Sequence, residues 1–365
     1  MFKRILWSIS VIIILIILYF LLWPVPIDPV AWEAPPNPGY TGSFAVNERL
    51  KGIETFVIKG NHGPEDIAVD AQGRIYTTSH EGQIVRLNAD CSNPKNWVDT
   101  KGRPLGIDFD GNGNLIVADA FRGLISIAQD GTISELATEA DGVPIGLADD
   151  VDVAADGKIY FSDASTKFHA KEWGGPYEAA RFDLMEHGGN GRLLVYDPAT
   201  GEAKTLLDGL NFANGVAVSH DQNYVLVNDM GEYRIIRLWI AGPRKGVSET
   251  LIGSLPSFPD NISTGHEGRY WVAFVSPRNP LIDKLADKPF MRKVVQRLPA
   301  FMRPKAVAYG HIIAIDDNGK VLTDLQDPDG GFPINTGVTE TKDYLYVGSL
   351  VAPAFGRLKK ENVGL

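Results

Sequence analysis

Glu65-Asp66-Ile67, Leu105-Gly106-Ile107, Asp149-Asp150-Val151, Asn214-Gly215-Val216, Asp260-Asn261-Ile262 and Thr336-Gly337-Val338 are six copies of one phrase. Each copy has a variable residue, then Asp, Gly or Asn, then Ile or Val, and opens a run that alternates apolar and polar residues. After most copies come a Gly-containing turn and a second apolar strand, as in IAVDAQGRIYTTS (67–79), IDFDGNGNLIVAD (107–119) and VDVAADGKIYFSD (151–163). Successive copies are 40, 44, 65, 46 and 76 residues apart, and the shorter spacings suit one four-stranded propeller blade. The two long gaps then hold insertions. The expectation is an all-β fold, a six-bladed β-propeller over residues 43–365, whose sheets close radially and protect their edges. Closure places TFVIKG (Thr55 to Gly60) as the outer strand of the blade made by Val338 to Leu358.

Outside the repeats, the N-terminus reads differently. Ile5 to Trp23 is uncharged and apolar, and at about 1.5 Å per residue it spans roughly 28 Å, close to a bilayer's hydrocarbon core. Lys3 and Arg4 precede it, and the next basic residue is Arg49. Residues 1–23 are therefore expected to form an N-terminal transmembrane helix, single-pass, with a cytoplasmic N-terminus and the propeller on the periplasmic, extracytoplasmic or lumenal side. A cleaved signal peptide is the competing reading, but Pro24-Val25-Pro26 offers no small-residue cleavage site. Residues 24–42 are rich in proline and are expected to be a stiff linker holding the propeller off the membrane.

The chain has 35 Lys+Arg against 45 Asp+Glu, a net charge of -10, which argues against nucleic acid as a partner. Cys91 is the only cysteine, so an intramolecular disulfide and a Cys-rich zinc site are excluded. One insertion has a helical stretch near Tyr177 to Glu186. The other, about 280–304, places Ile282, Leu285, Phe290, Val294, Val295 and Leu298 near one helical face, broken at Pro289 and Pro299. The opposite face is basic, with Lys284, Lys288, Arg292, Lys293 and Arg297. A cap packed on one end of the propeller is the plainer reading. A second contact with anionic lipid, or a route for an apolar substrate, is the sharper one.

Residues at one repeat phase of a propeller converge on one end of its central channel. The six here are Glu65, Leu105, Asp149, Asn214, Asp260 and Thr336. Singly, Asn214-Gly215 is a hairpin turn, and Asp149-Asp150 or Asp260-Asn261 an Asx turn. Together, three carboxylates and a carboxamide on one axis call for a hard cation, and Ca²⁺ suits irregularly placed oxygens better than Mg²⁺. Asp119, Asp163 and Asp229 recur after second strands, away from the inner ring, and are expected to be structural turn residues. His62 and His266 flank ring strands, and the other histidines, His311 among them, are expected in turns or insertions.

PEDIAVD, GRPLGIDFDGNGNLIVADAFRGL, DGKIYFSDASTKF, GRLLVYDPATGEAKTLLDGLNFANGVAVS, FPDNI and LYVGSLVAPAFGRL occur in this order, and with them the chain resembles the strictosidine synthase-like proteins over nearly its whole length. The wider group includes paraoxonases, gluconolactonases and diisopropyl fluorophosphatase, six-bladed propellers with a channel Ca²⁺. The resemblance implies Glu65, Asp149, Asn214 and Asp260 as metal ligands, with Asn261 beside the last. It also marks three departures. The usual Asn at the second ligand is Asp149. Leu105 stands where paraoxonases carry a His, and Thr336 where the alkaloid-forming synthases carry a catalytic Glu.

Three functions are therefore expected, in order. The first is a Ca²⁺-dependent hydrolase of small apolar esters or lactones, with Asp260 or Asp149 as base or nucleophile and Leu105, Thr336 and Asn261 on the substrate wall. The second is a calcium-stabilised binding propeller without turnover. An amine–aldehyde condensing synthase comes last.

Overall fold

The computed structural model describes residues 2–365, so Met1 of the expected anchor lies outside it. Among the described residues there are six four-stranded antiparallel sheets, each one blade. The inner strands are Ile67–Val69, Pro104–Phe109, Ala148–Val153, Ala213–Val218, Ser257–Thr264 and Asn335–Glu340. The ring closes as expected, for Glu54–Val57 pairs with Ala354–Lys359 in the last blade, Glu54 opposite Arg357 and Val57 opposite Ala354.

Alternation along the strands gives every blade two apolar faces, and each is buried against a neighbour. Ile116, Ala118 and Leu124 of the second blade meet Val151, Phe161 and Leu194 of the third. Ile67, Ile75 and Val85 of the first meet Tyr346 and Phe355 of the last. A fully buried side chain such as Phe161 contributes about 2–3 kcal/mol, so these interblade layers hold the ring together.

The repeated phrase is a local feature of the inner strands rather than a turn. In five of the six blades the ladder to the second strand breaks register across it, between Pro104 and Ile107, Ala148 and Val151, Ala213 and Val216, Pro259 and Ile262, and Asn335 and Val338. The variable residue and its follower lie inside this irregularity. A bulge bends the strand and re-aims side chains, here toward the axis. Asn214-Gly215, Asp149-Asp150 and Asp260-Asn261 are therefore not the isolated turns that each pair, taken singly, would suggest.

The second position of the phrase alternates around the ring as Asp66, Gly106, Asp150, Gly215, Asn261 and Gly337. A Cβ on Gly106 would lie 2.7 Å from Asp150 Cα, and one on Gly337 would lie 2.8 Å from Asp66 Oδ1. Large and small residues interleave because the openings of six inner strands, five of them bulged, crowd one axis. The carboxylates use the space to stitch blades together. Asp66 accepts from its neighbour Ile67 N at 2.8 Å and from Ile107 N of the next blade at 3.0 Å. Asp150 does the same with Val151 N at 2.9 Å and Val216 N at 2.8 Å.

Among the described residues there are four α-helices. α1 (Phe2–Leu22) carries the apolar N-terminal run, and none of its residues is buried against the propeller. It is long and apolar enough to cross a membrane. α2 (Pro176–Glu186) fills the insertion of the third blade, one residue from where the sequence places it. α3 (Pro280–Lys284) and α4 (Pro289–Gln296) form the cap, with Pro at the start of each, where its missing N–H costs nothing.

Three expectations for this region need correction. The proline-rich stretch is extended but is no free spacer. Ile27 is buried, Val30 N donates to Glu186 O at 2.9 Å, Trp32 N to Ala286 O at 3.1 Å, and the Trp32 ring stacks on His187 at 3.9 Å. It is a strap tying α1 to α2 and the cap. The basic face is also divided. Arg292 is buried, donating to the carbonyls of Met185, Glu186, Val30 and Ala286, and Arg297 is 7% exposed. Phe290, placed by periodicity on the inner face, is instead 50% exposed. Elsewhere, His311 lies within the strand Gly310–Ile315, bonded to Asp324 at 3.0 Å, rather than in a turn.

Candidate metal centre

Asp149 and Asp260, from their bulges, and Glu65, from the lead-in to Ile67–Val69, meet on the axis, and one carboxylate oxygen from each lies within 4.8 Å of the others. All three are buried. Asn214 joins them, donating Nδ2 to Asp149 Oδ2 at 3.4 Å. Among the described residues, Asn214 Oδ1 and Glu65 Oε2 have no hydrogen-bond partner. Buried polar atoms are rarely left so, and two orphaned acceptors facing an acidic ring form an incomplete coordination shell.

Electrostatics points the same way. Burial pushes the Glu65 carboxyl well above its ordinary range, and the Asp149 and Asp260 carboxylates push it further. Burial carries Asp149 up to about 7 against the opposing pull of Arg103. Asp260 is raised by burial and by Asp149, with Asn214 opposing. Such groups ionise together only beside compensating positive charge. Arg103 supplies one, a guanidinium 2% exposed whose Nε and Nη2 find no partner among the described residues. Three carboxylates against one guanidinium leave two negative charges, which a divalent cation cancels. The all-oxygen donor set fits such an ion.

The ring residues are positioned by groups behind them. Asp119 accepts from Arg103 N at 2.9 Å, Asp163 from Leu147 N at 3.0 Å and Asp229 from Asn211 N at 2.9 Å, each fixing the lead-in to its blade's ring residue. Asp163 and Asp229 are themselves paired with Arg192 and Arg234, at 2.7 and 2.8 Å. Thr336 Oγ1 donates to Glu65 O at 2.6 Å, and Asn228 Nδ2 donates to Asp260 O. Arg103 and Asn228 escaped the sequence reading. Arg103 lies two residues before a ring position, a signal that was available, but Asn228 sits in a second strand with nothing to distinguish it.

Above the ring is a largely apolar cavity floored by Glu65, Asp149, Asn214 and Asp260 and walled by Leu105, Phe212, Met230, Phe258, Phe182 and Ile282. α2 and the cap roof it. Leu105 is on this wall. Thr336 is fully buried behind it, and Asn261 lines the opposite mouth of the channel together with Asp66, Asp108, Asp150 and Asp152. His266 also lies at that far mouth. His62 is held by Glu81 and stacks on His80.

Comparison with known proteins follows the same lines. A family model described as strictosidine synthase matches residues 149–243, and one for the N-terminal part of strictosidine synthase-like proteins matches residues 42–87. The adipocyte plasma membrane-associated protein of Rattus norvegicus is 33% identical, over 93% of this chain and 94% of its own length. Strictosidine synthase-like protein 6 of Arabidopsis thaliana is 36% identical over 84% of this chain and 81% of its own. Among solved structures, a gluconolactonase from Xanthomonas campestris superposes with TM-score 0.63 at 16% identity, covering 93% of this chain and 99% of the other. Regucalcin from Agrobacterium tumefaciens, described as a calcium-binding protein, gives TM-score 0.59 at 14% identity, over 84% and 93%. These structural likenesses establish the propeller fold. The sequence relatives establish more: the chain belongs to the strictosidine synthase-like family.

Proposed function

We propose that the chain is a membrane-anchored, calcium-dependent hydrolase of esters or lactones. The observation that carries this reading is the buried triad of Glu65, Asp149 and Asp260, with Asn214 Oδ1 unpartnered beside it, at the floor of an apolar cavity. Its likeness in fold to a gluconolactonase and to a calcium-binding regucalcin supports the same choice. Glu65, Asp149, Asn214 and Asp260 would hold the ion. When bound, Ca²⁺ supplies a Lewis acid for a substrate carbonyl.

The chain's own residues do the rest. Leu105, Phe212 and Phe258 take the acyl or aryl part and exclude water from it. A carboxylate oxygen of Asp260 or Asp149 accepts the proton of an attacking water, or attacks as nucleophile. Asp149 adds a charge where the family resemblance implies Asn, which would tighten ion binding and weaken the ion's pull on substrate. α1 holds the N-terminus in the cytoplasm and the propeller outside it.

The test is a screen of full-length protein in detergent against aryl esters and lactones, with calcium and with chelator. Turnover that needs calcium and falls by about 100-fold or more in Asp260→Ala, with the fold retained, supports the reading. No turnover under any condition defeats it. A second reading, a calcium-stabilised binding propeller, is favoured by one feature: Leu105 puts an aliphatic side chain, not a base, on the ring. Calcium binding without turnover is its signature.

A further inference from the structure

The C-terminal end of α1 is bonded to the cap. Arg297 donates Nε to Trp23 O at 2.6 Å and Nη1 to Phe20 O at 3.0 Å, while Tyr19 donates its hydroxyl to Arg297 O at 2.9 Å. A helix leaves its last carbonyls without intrahelical partners, and a cation there also suits the helix dipole. The 21 residues of α1 span about 31 Å, the thickness of the hydrocarbon core, so if α1 crosses a bilayer its last turn lies at the interface. Arg297, bonded to that turn, lies at the same depth. Tyr19 and Trp23 are the aromatic types that settle there.

The cap around Arg297 has the composition of a surface that meets lipid. Phe290 and Met291 are 50% and 41% exposed, and Phe301 and Met302 are 77% and 54% exposed. They lie within two helical turns of Arg297 on either side, while Leu285, Ala286 and Val295 face the propeller. Residues 280–305 carry seven basic residues, from Lys284 to Lys305, against Asp283 and Asp287, although the whole chain is acidic, and with Arg292 and Arg297 buried five of the seven are at least partly exposed. Lys288 and Lys293 are paired with Asp287 and Asp28, while Lys284 and Lys305 stand exposed beside these apolar residues, and exposed apolar side chains next to lysines on a short amphipathic element are the signature of an interfacial segment. Arg303, Pro304 and Lys305 follow the exposed Phe301-Met302 pair directly and line the cavity above the ring.

We propose that the outer face of the cap rests on the lipid leaflet beside α1, so that the cavity opens at the bilayer surface and takes lipid-soluble molecules from it. The partner is an anionic leaflet. The proposal rests on α1 crossing a membrane and is independent of whether the site hydrolyses anything. It gives the strap a purpose: a free spacer would let the mouth turn away, whereas the strap and Arg297 fix its orientation.

The test uses the full chain in vesicles of phosphatidylcholine and phosphatidylglycerol. In a Cys91→Ser background, an environment-sensitive fluorophore is placed at Phe301→Cys, Phe290→Cys, Ile14→Cys or Val57→Cys, the last on an outer propeller strand. Lipids carrying a nitroxide in the upper acyl chain should quench the two cap labels roughly threefold more than the Val57 label. Cap labels that respond like Val57 while the Ile14 label is quenched would overturn the proposal and leave the anchor standing. Failure of all four to quench removes the anchor and the proposal together. Excimer formation between pyrene labels at Phe301 in separate copies would show the face covered by a second chain, which also overturns it.

Discussion

Asn214 turns its Nδ2 toward Asp149 Oδ2, 3.4 Å away, and leaves its Oδ1 buried without a partner among the described residues. One half of the amide steadies a neighbouring ligand and the other half is free to become one. An apolar replacement of similar size, Asn214→Leu, removes both. Losing outer partners of a metal site alone costs about 10–100-fold in affinity, so calcium affinity should fall at least that far. Calorimetric titration measures it, with circular dichroism confirming the fold.

Gly106→Ala addresses the packing beneath the ring. The new Cβ would stand 2.7 Å from Asp150 Cα, a backbone atom that cannot step aside without moving the third blade. Overpacking of this kind costs about 1–3 kcal/mol. Chemical denaturation should show that loss. The same substitution at Gly111, where a Cβ meets nothing within 4 Å, serves as the control and should be close to neutral.

Trp32→Ala tests the strap. The substitution deletes the stack on His187 and the packing near Tyr233, and half-burial of the indole sets the cost at about 2–3 kcal/mol. A linker standing free of the propeller would tolerate it. Thermal unfolding of the full chain in detergent distinguishes the two.

Asp183 in α2 gives a pH dependence with a definite sign. Burial pushes its carboxyl from 3.8 up to about 7, although Ser165 and Asn190 bond to it. The folded state therefore keeps a proton that the unfolded chain releases near pH 4, so stability falls as pH rises from about 4 to about 7 and is level beyond. Asp183→Asn has no such proton. Its stability relative to the natural chain should rise across that interval, by an amount on the order of 4 kcal/mol at most. Parallel curves from acid to neutral pH would contradict this.

The six copies carry enough to predict the blades because strand alternation and turn chemistry are local. Even the closure by Glu54–Val57 follows, since an odd strand at one end must pair at the other. The cap was legible only in part. Helical periodicity cannot tell which face meets the propeller when both faces have a neighbour. Arg292 turned inward to satisfy four carbonyls, and Phe290 turned outward. Proline content announces extended backbone at 24–42, but extended chain packs as readily as it dangles, and the partners Glu186 and Ala286 lie far away in sequence. In the ring, the phrase shows convergence. It does not show that Thr336 and Asn261 fall behind or below the cavity, because a bulge sends adjacent residues in directions that strict alternation does not foresee.

Calcium titration of chelator-treated, full-length protein, followed by calorimetry and by thermal unfolding, tests the central claim most directly. One ion should bind per chain and raise the unfolding temperature, and both effects should be lost in Glu65→Gln and in Asp260→Asn. Equal behaviour of the natural chain and these variants, with neither heat nor stabilisation on adding calcium, would contradict a metal centre at the ring.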